Sequence, residues 1–281
     1  MNNQMISYSQ ILNIEKDYLQ SSLLTHHEFK LLFNDVYGYD FNPVDASEND
    51  ASLTKSLLEK LDKRKKGEPI QYIIGKWPFI DLELYVDDRA LIPRPETEYL
   101  AQYAEEYAKH ISNPIIVDLC AGCGAIALFL SKSLPSSTVY AVELSHDACQ
   151  LMSKNKELIN TGINIIEMDV LQYLSLLPNN SVDLFVSNPP YVKEDEYYTN
   201  YEELKYEPLV AFIAPDDGLF FYKHMTELCH AKQKTNGSIM YEIGEDQGEA
   251  VKDILIKCGY DDIVIKKDFN SLDRYVIGKK R

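Results

Sequence analysis

The chain has no apolar run that approaches the roughly 18 residues needed to span a membrane. Its N-terminus, MNNQMISYSQ, contains no basic stretch followed by an apolar core, so no signal peptide is expected. The five cysteines are odd in number and scattered, without the spacing of a disulfide framework. These absences predict a soluble protein located in the cytoplasm.

Positive charge is also scarce, because 28 Lys and Arg against 44 Asp and Glu leave a net charge of −16 at pH 7. A protein whose main role is to grip a nucleic-acid backbone normally carries a basic surface. The six histidines form no recognisable catalytic set, and no cluster has the spacing of metal ligands. We therefore expect no resident metal and no direct binding of nucleic acid or membrane.

The chain is long enough, at 281 residues with 45% hydrophobic side chains, for one large domain and a smaller one. Residues 1–68 are predicted to form the smaller, helical domain. One of its helices begins at a capping box made by Thr25 and Glu28 and ends at Gly38. A one-sided stripe of leucines marks another helix, with Ser52 as its expected cap.

The pattern changes twice after this helical region. Residues 69–96 contain alternating apolar and polar side chains and predict a β-rich connector. From about residue 97, continuous apolar strands alternate with helices, which is typical of a mainly parallel sheet covered on both faces. The last two strands, DIVIKK and RYVIG, are separated by too few residues for a helical crossover, so we expect them to pair antiparallel.

The stretch DLCAGCGAIAL (118–128) follows the first strand of this α/β region. Gly122 and Gly124 allow a ligand to approach the backbone closely at the turn into a helix. The stretch is not a complete G-x-G-x-x-G, so it is a weak signature for NAD. Glu143 ends the second strand, where an acid hydrogen-bonds ribose hydroxyls, and Asp169 ends the third, where an acid accepts from an adenine amino group.

Each of these acids alone is readily explained as a turn or helix cap, but together they favour a cofactor that carries a nucleoside. S-adenosylmethionine fits, because its sulfonium needs no phosphate cradle and tolerates acidic walls. The CAGC sequence (120–123) allows a different interpretation, a thioredoxin-like redox pair at a helix start. That alternative explains neither Glu143 nor the next motif.

The stretch LFVSNPPYV (184–192) runs an apolar strand directly into two prolines, which end it and remove backbone donors. A Pro-rich turn is the simplest interpretation. The more specific interpretation is a clamp for a planar –NH₂ group. The Asn188 side-chain oxygen and the Pro189 carbonyl would accept its two hydrogens, while Tyr191 packs against its plane. Catalysis would then depend on positioning and desolvation rather than on a strong base.

Over about residues 67–278 the chain resembles the HemK/PrmC family, the S-adenosylmethionine-dependent methyltransferases that modify the glutamine N5 of peptide chain release factors. The motifs that carry this resemblance are GEPIQYIIG (67–75), LIPRPETE (91–98), DLCAGCGAIAL (118–128), VSNPPY (186–191), YEPLVAF (206–212), DDGL (216–219) and EIGEDQ (242–247). Asn-Pro-Pro-Tyr alone is shared by amino-methyltransferases of several substrate classes, whereas IPRPETE combined with YEP is much more specific.

The resemblance implies a Rossmann-like, seven-stranded methyltransferase domain over 97–281, whose antiparallel ending distinguishes it from the ordinary dinucleotide fold. It also implies that 69–96 is a β-hairpin linker and that 1–68 dock the release factor, whose Gly-Gly-Gln loop enters the catalytic domain. The N-terminal residues match the family only in helical character. The role of the Tyr-rich segment 191–206 is left open.

Carried over by position, the resemblance assigns three overlapping sets of residues. Cofactor contacts are expected from Cys120, Ala121, Gly122, Cys123, Gly124, Glu143, Asp169, Val170 and Asn188. Catalytic roles are expected for Asn188, Pro189 and Tyr191. Substrate contacts are expected from Asn188, Pro189, Pro190, Tyr191, Arg94 and Glu96, although the last two are equally explained as ion pairs of the linker.

The chain departs from the family pattern at two of these positions. The first loop position is usually Gly and is Cys120 here, so we expect an ordinary, negative φ at that residue. The ribose acid is commonly Asp and is Glu143 here. The main alternative function is an exocyclic-amine methyltransferase acting on DNA or RNA, which normally has a basic groove or a target-recognition domain. A third possibility is a protein that binds the cofactor without catalysis.

Overall fold

The computed structural model describes residues 8–19, 25–39 and 51–281. The chain divides into two compact units, Met1–Lys76 and Trp77–Arg281. This division falls inside the range 69–96 predicted for the connector rather than at its start. In the described residues, no helix is both long enough and apolar enough to cross a membrane.

The described part of the first unit is helical. Its elements are α1 (Tyr8–Leu19), α2 (His26–Tyr37), α3 (Ala51–Lys65) and α4 (Ile70–Ile74). The predicted capping box is present, because the Glu28 amide donates to Thr25 Oγ1 (3.2 Å) and the Thr25 amide donates to Glu28 Oε2 (2.8 Å). Gly38 caps the other end of α2.

Two features of this unit differ from the sequence-based expectation. Ser52 is not the cap of α3, because the helix extends at least one residue further back, to Ala51. The residues before Ala51 lie outside the described ranges. A short helix, α4, occupies part of the region predicted to be β-rich. Packing explains it, since Ile70 and Ile73 are one helical turn apart and both are buried.

A two-stranded sheet, β1 (Lys76–Phe79) and β2 (Leu82–Tyr85), starts at the last residue of the first unit and otherwise belongs to the second. Asn155, fully buried, holds β2 in place. Its Oδ1 accepts from the Tyr85 amide (2.7 Å), and its Nδ2 donates to the carbonyls of Tyr85 and Cys123, both at 3.1 Å. One buried amide thus connects the hairpin to the loop that follows the next strand.

The main sheet of this unit has seven strands in the order β5-β4-β3-β6-β7-β9-β8. Their bounds are β3 (Ile115–Leu119), β4 (Thr138–Glu143), β5 (Asn164–Glu167), β6 (Val182–Ser187), β7 (Gln233–Glu242), β8 (Tyr260–Lys267) and β9 (Asp273–Lys280). Strands β3 to β7 pair in parallel, and β9 pairs antiparallel with both β7 and β8. The predicted α/β class and the antiparallel ending are confirmed.

Helices cover the sheet. They are α5 (Pro95–Ala108), α6 (Ala125–Ser133), α7 (His146–Ile159), α8 (Val170–Leu176), α9 (Glu194–Thr199), α10 (Tyr201–Leu204), α11 (Phe220–Lys232) and α12 (Gly248–Lys257). One apolar cluster packs α5, α6 and α7 on the sheet, and a second packs α8, α11 and α12. Both clusters include strand residues, so the sheet is covered on both faces, and β6 at its centre is buried along its whole length.

Candidate active site

A cavity of about 1000 Å³ lies where the parallel strands end. Its lining includes residues that end or follow four neighbouring strands: Cys120 after β3, Glu143 on β4, Asp169 after β5 and Asn188 after β6. The carboxyl ends of parallel strands meet at one edge of a sheet, which is where open α/β folds bind ligands. The predicted acids and the segment Asn188–Tyr191, called the corner below, therefore meet at one site.

The loop from Cys120 to Gly124 turns the chain from β3 into α6. Cys120, Gly122 and Gly124 all have positive φ, at 61°, 56° and 86°. The expectation of an ordinary φ at Cys120 was wrong. The turn imposes a left-handed conformation at this position, which costs a non-glycine residue roughly 1–2 kcal/mol. Gly124 is required for a second reason, since a Cβ there would lie 2.5 Å from Met152 Cγ.

Both predicted acids hold backbone amides as well as lining the cavity. Glu143 accepts from the Gly122 amide at 2.9 Å and from the Ser145 amide at 2.8 Å, one on each carboxylate oxygen. Asp169 caps α8, because its Oδ1 accepts from the amides of Leu171 (3.0 Å) and Gln172 (2.9 Å). Each acid therefore has the turn or helix-cap role that explains it singly, and each also lines the cavity in which a ligand would bind.

Sequence reasoning missed a third acid, Asp118, which lines the same cavity and is 1% exposed. Its Oδ2 accepts from the Ala127 amide (3.1 Å), whereas Oδ1 is buried without a hydrogen-bond partner among the described residues. Burial raises the pKa of Asp118 to about 8, against the lowering effect of that bond. A charged residue in the apolar strand IIVDL was the available signal.

The two cysteines of the CAGC stretch also line this cavity. Burial raises the pKa of the Cys123 thiol to about 12 and that of Cys120 well above its usual value. Reactive redox cysteines have lowered pKa values, since the thiolate is the nucleophile. These two thiols are protonated near neutral pH, which argues against the thioredoxin-like interpretation.

Asn188 lies at the junction of two cavities, because it lines the first and also a second one of about 840 Å³. Its Nδ2 donates to Thr97 Oγ1 (3.2 Å), and Thr97 Oγ1 donates to Glu242 Oε2 (2.7 Å). Thr97 and Glu242 are 6% and 2% exposed. Burial raises the pKa of Glu242 to about 7. Sequence reasoning assigned these two partners no role, although both lie inside resemblance motifs, LIPRPETE and EIGEDQ.

The second cavity is bounded by Tyr191 and by the Tyr-rich segment. Three residues of that segment, Glu196, Asn200 and Leu204, form part of its wall. The segment is anchored by Tyr197, 3% exposed, whose ring lies 5.6 Å from that of Phe212. The segment whose role the sequence left open is therefore a wall of this cavity.

Arg94 lines both cavities and also forms an ion pair with Glu207, a buried acid. Glu207 additionally accepts from the Ile92 amide at 2.9 Å. Arg94 therefore borders the site and is also an ion-pair partner, while its contact with substrate stays a prediction. Across 51–281, where the description is continuous, the predicted site residues that line neither cavity are Glu96, Gly124 and Pro189.

The backbone of the corner is fixed from behind. Gln247, 5% exposed, donates from Nε2 to the Tyr191 carbonyl (3.1 Å) and accepts on Oε1 from the Gly244 amide (2.9 Å). The next amide, that of Val192, donates to the Phe212 carbonyl at 2.8 Å. These bonds hold the corner in one position between its two cavities.

Comparison with known proteins identifies the fold and the family. The family model described as "Methyltransferase small domain" matches residues 99–204. Among solved structures, a T. thermophilus 16S rRNA methyltransferase in complex with AdoMet and guanosine is similar in fold. Its TM-score is 0.53 at 15% identity, covering 73% of this chain and 50% of that one.

Curated relatives are closer in sequence. The release factor glutamine methyltransferase of Clostridium acetobutylicum is 35% identical over 225 residues, 79% of each chain. That of Escherichia coli is 32% identical over 267 residues, covering 93% of this chain and 94% of the relative. Sequence identity at this level over nearly the whole length indicates common ancestry and not only a shared fold. The chain belongs to the release factor glutamine methyltransferase family.

Proposed function

We propose that this protein transfers the methyl group of S-adenosylmethionine to the side-chain amide nitrogen, N5, of the glutamine in the Gly-Gly-Gln motif of a peptide chain release factor. One observation carries the proposal. Asn188 stands where two cavities meet, with its –NH₂ group bonded to Thr97 and its Oδ1 therefore free to accept from a substrate amide. Family membership supplies the identity of the substrate.

The carboxyl groups that line the first cavity fit S-adenosylmethionine. Asp118 carries a buried oxygen without a partner in the described chain, and Glu143 and Asp169 add two more carboxyl groups to the same lining. Glu143 and Asp169 repel a pyrophosphate but suit a cation and ribose hydroxyls, while Asp118, whose pKa is raised by burial, adds a neutral polar group. When bound, the cofactor supplies an electrophilic methyl group on a positively charged sulfur.

The assignments within that cavity follow the strand ends. The loop Cys120–Gly124 supplies a close backbone approach, Glu143 accepts from ribose hydroxyls, and Asp169 with Val170 flanks the adenine. Gly124 lines neither cavity, so its contribution is the left-handed turn that shapes the loop.

In the second cavity, the corner orients the substrate amide. Asn188 Oδ1 and the Pro189 carbonyl accept its two hydrogens, while Tyr191 and Pro190 pack against the group. Pro189 is buried and lines neither cavity, so its proposed contribution is its backbone carbonyl. Arg94 borders the approach, and we assign Glu96 only an indirect role near the start of α5. No strong base is needed, because the methylated nitrogen readily loses its extra proton.

The remaining assignments come from the resemblance. Residues 1–68 dock the body of the release factor, the β1–β2 hairpin within 69–96 forms the linker, and 97–281 carry out the transfer. We propose that the enzyme acts in the cytoplasm.

A single experiment tests the function. The full-length protein is incubated with methyl-labelled S-adenosylmethionine and, separately, with release factor, DNA or RNA, and the products are digested and analysed by mass spectrometry. We expect one methyl group on the Gly-Gly-Gln glutamine. Label in DNA or RNA but not in release factor would refute the proposal and support the exocyclic-amine alternative.

A further inference from the structure

Three polar side chains from distant parts of the chain form a connected series at the corner; two of them are buried and Asn188 is half-buried. Glu242 ends β7, Thr97 lies in the first turn of α5, and Asn188 follows β6. Thr97 Oγ1 lies 2.7 Å from Glu242 Oε2 and 3.2 Å from Asn188 Nδ2. Because Thr97 and Glu242 are almost completely buried, solvent cannot replace the bond between them.

The series has a direction, which follows from counting protons. A threonine hydroxyl has one proton to donate and lone pairs with which to accept. Thr97 donates its proton to the Glu242 carboxylate, so only lone pairs face Asn188. Asn188 must then present its –NH₂ group to Thr97, because its oxygen in that place would meet another oxygen without an intervening hydrogen.

We propose that Glu242, acting through Thr97, sets which way the Asn188 amide faces and is thus a positioning residue for methyl transfer. The proposal rests on the proposed function, since it concerns the orientation that lets Asn188 Oδ1 accept from the substrate amide. The reversed amide would point a donor at a group that itself donates, and the substrate nitrogen would lose its alignment.

The series reverses when Glu242 is protonated. A neutral Glu242 can donate to Thr97 Oγ1, which frees the Thr97 proton to point at Asn188 and favours the reversed amide. The charged or titratable groups that face the Glu242 carboxylate come from several elements: Arg94, Glu96, Tyr191, Tyr222, Arg274 and Tyr275. The two arginines favour the carboxylate and Glu96 opposes it, while burial raises the pKa of Glu242 to about 7.

The test compares Thr97→Val, which removes both bonds at nearly constant volume, with Thr97→Ser, which keeps the hydroxyl. Thr226→Val is the matched control, because Thr226 is also fully buried and hydrogen-bonded, to Tyr241. With intact release factor as substrate, we expect Thr97→Val to lower kcat by about 10- to 100-fold, the range for lost alignment. Thr97→Ser should restore most of it. Calorimetry measures cofactor affinity separately, because Thr97 also lines the first cavity, and Thr226→Val should leave both kcat and cofactor affinity within about 2-fold of wild type.

A pH profile adds a measurement that a merely structural role would not change. The carboxylate is the productive form, so wild-type kcat should rise with pH through about 7. Glu242→Gln keeps an acceptor for Thr97 but cannot titrate, so its kcat should not rise with pH. The ratio of its kcat to that of the wild type should therefore be higher at about pH 6 than at about pH 8. Equal kcat for Thr97→Val and wild type, or an unchanged rise in Glu242→Gln, would overturn the inference. Failure of the wild-type protein to methylate release factor would instead overturn the proposed function.

Discussion

A Cβ atom placed on Gly218 would lie 2.1 Å from the carbonyl oxygen of Tyr191. Gly218 also has a φ of 80°, and the two residues before it, Asp216 and Asp217, have φ values of 58° and 56°. The DDGL stretch thus forms a left-handed turn whose backbone packs directly behind the corner. Only glycine allows this approach, because any side chain at position 218 would push the loop and the corner apart.

We therefore expect Gly218→Ala to displace the Tyr191 carbonyl and misalign the corner. Its kcat should fall by about 100-fold, since a displacement of about 1 Å is enough for such a loss. Cofactor affinity should change little, because Gly218 does not line the first cavity of the described structure. Gly162→Ala is the control, since a Cβ there meets nothing within 4 Å. Normal turnover by Gly218→Ala would show that the corner tolerates movement.

Asn188→Ala should lower kcat by roughly 10²- to 10⁴-fold while the fold and most cofactor binding are kept. The reason is that Asn188 Oδ1 is the proposed acceptor for the substrate amide. Single-turnover kinetics with saturating cofactor measures the effect directly. Near-normal turnover by this variant would refute the amide clamp, whatever happens to substrate affinity.

Glu143→Ala should weaken S-adenosylmethionine binding by about 1–3 kcal/mol, since two ribose hydroxyls lose a charged acceptor. Part of the loss will come from the loop, because Glu143 also holds the amides of Gly122 and Ser145. Glu167→Ala is the matched control: Glu167 is the register partner of Glu143 on β5 but pairs with His146 instead. Calorimetry should show a loss for Glu143→Ala only, and equal affinities would refute the ribose assignment.

Strand positions and the acids at their ends could be read from the sequence because each depends on local pattern. IIVDL, TVYAVE and VDLFVS are apolar runs that stop where β3, β4 and β6 stop. Thr97 and Glu242 could not be assigned in this way, because their hydrogen bond joins positions 145 residues apart. Neither is unusual in its own surroundings. Only the packing of α5 against β7 gives the two residues a common role.

The error at Cys120 has a similar cause. A side chain favours negative φ, and that local preference was the basis of the expectation. The turn from β3 into α6 overrides it, since the Ala121 amide must reach the Val142 carbonyl of the neighbouring strand (3.0 Å). Tertiary hydrogen bonding decided this conformation, and no property of the residue itself indicated it.

Asp118 predicts a pH dependence of stability. Its pKa is about 8 in the folded chain against 3.8 for an ordinary Asp, so between these values the folded state holds a proton that the unfolded state releases. Stability from this group therefore falls as pH rises through that window, by up to about 1.4 kcal/mol per pH unit. Asp118→Asn should remove this slope.

Urea unfolding of the cofactor-free protein at about pH 5 and about pH 7 checks the sign. The free energy of unfolding of Asp118→Asn, relative to wild type, should increase with pH. Asp253→Asn, an exposed change on α12, is the control for charge removal alone. A difference between Asp118→Asn and wild type that stays constant from about pH 5 to about pH 7 would mean that Asp118 is ionised in the folded chain.

The last prediction concerns the size of the substrate. A glutamine amide is unreactive, and one side chain offers little binding energy to hold it in line with the methyl group. The corner can orient the amide only after other contacts have delivered it. Exposed apolar side chains are available for such contacts, since Val210 lines the first cavity and is 57% exposed, and Leu209 beside it is 47% exposed.

We therefore expect a much higher kcat/KM on an intact release factor than on a short peptide that contains the same Gly-Gly-Gln loop. Glycines before the target glutamine let its backbone pass the cavity wall at Pro190 without Cβ clashes, so both substrates should be methylated at the same nitrogen. Steady-state kinetics with mass spectrometry of both products measures rate and position together. Equal rates would leave the chemistry intact but remove the docking role proposed for residues 1–68. A methyl group on any other residue would overturn the substrate itself, because the corner would then be orienting a group other than the one its acceptors are placed to hold.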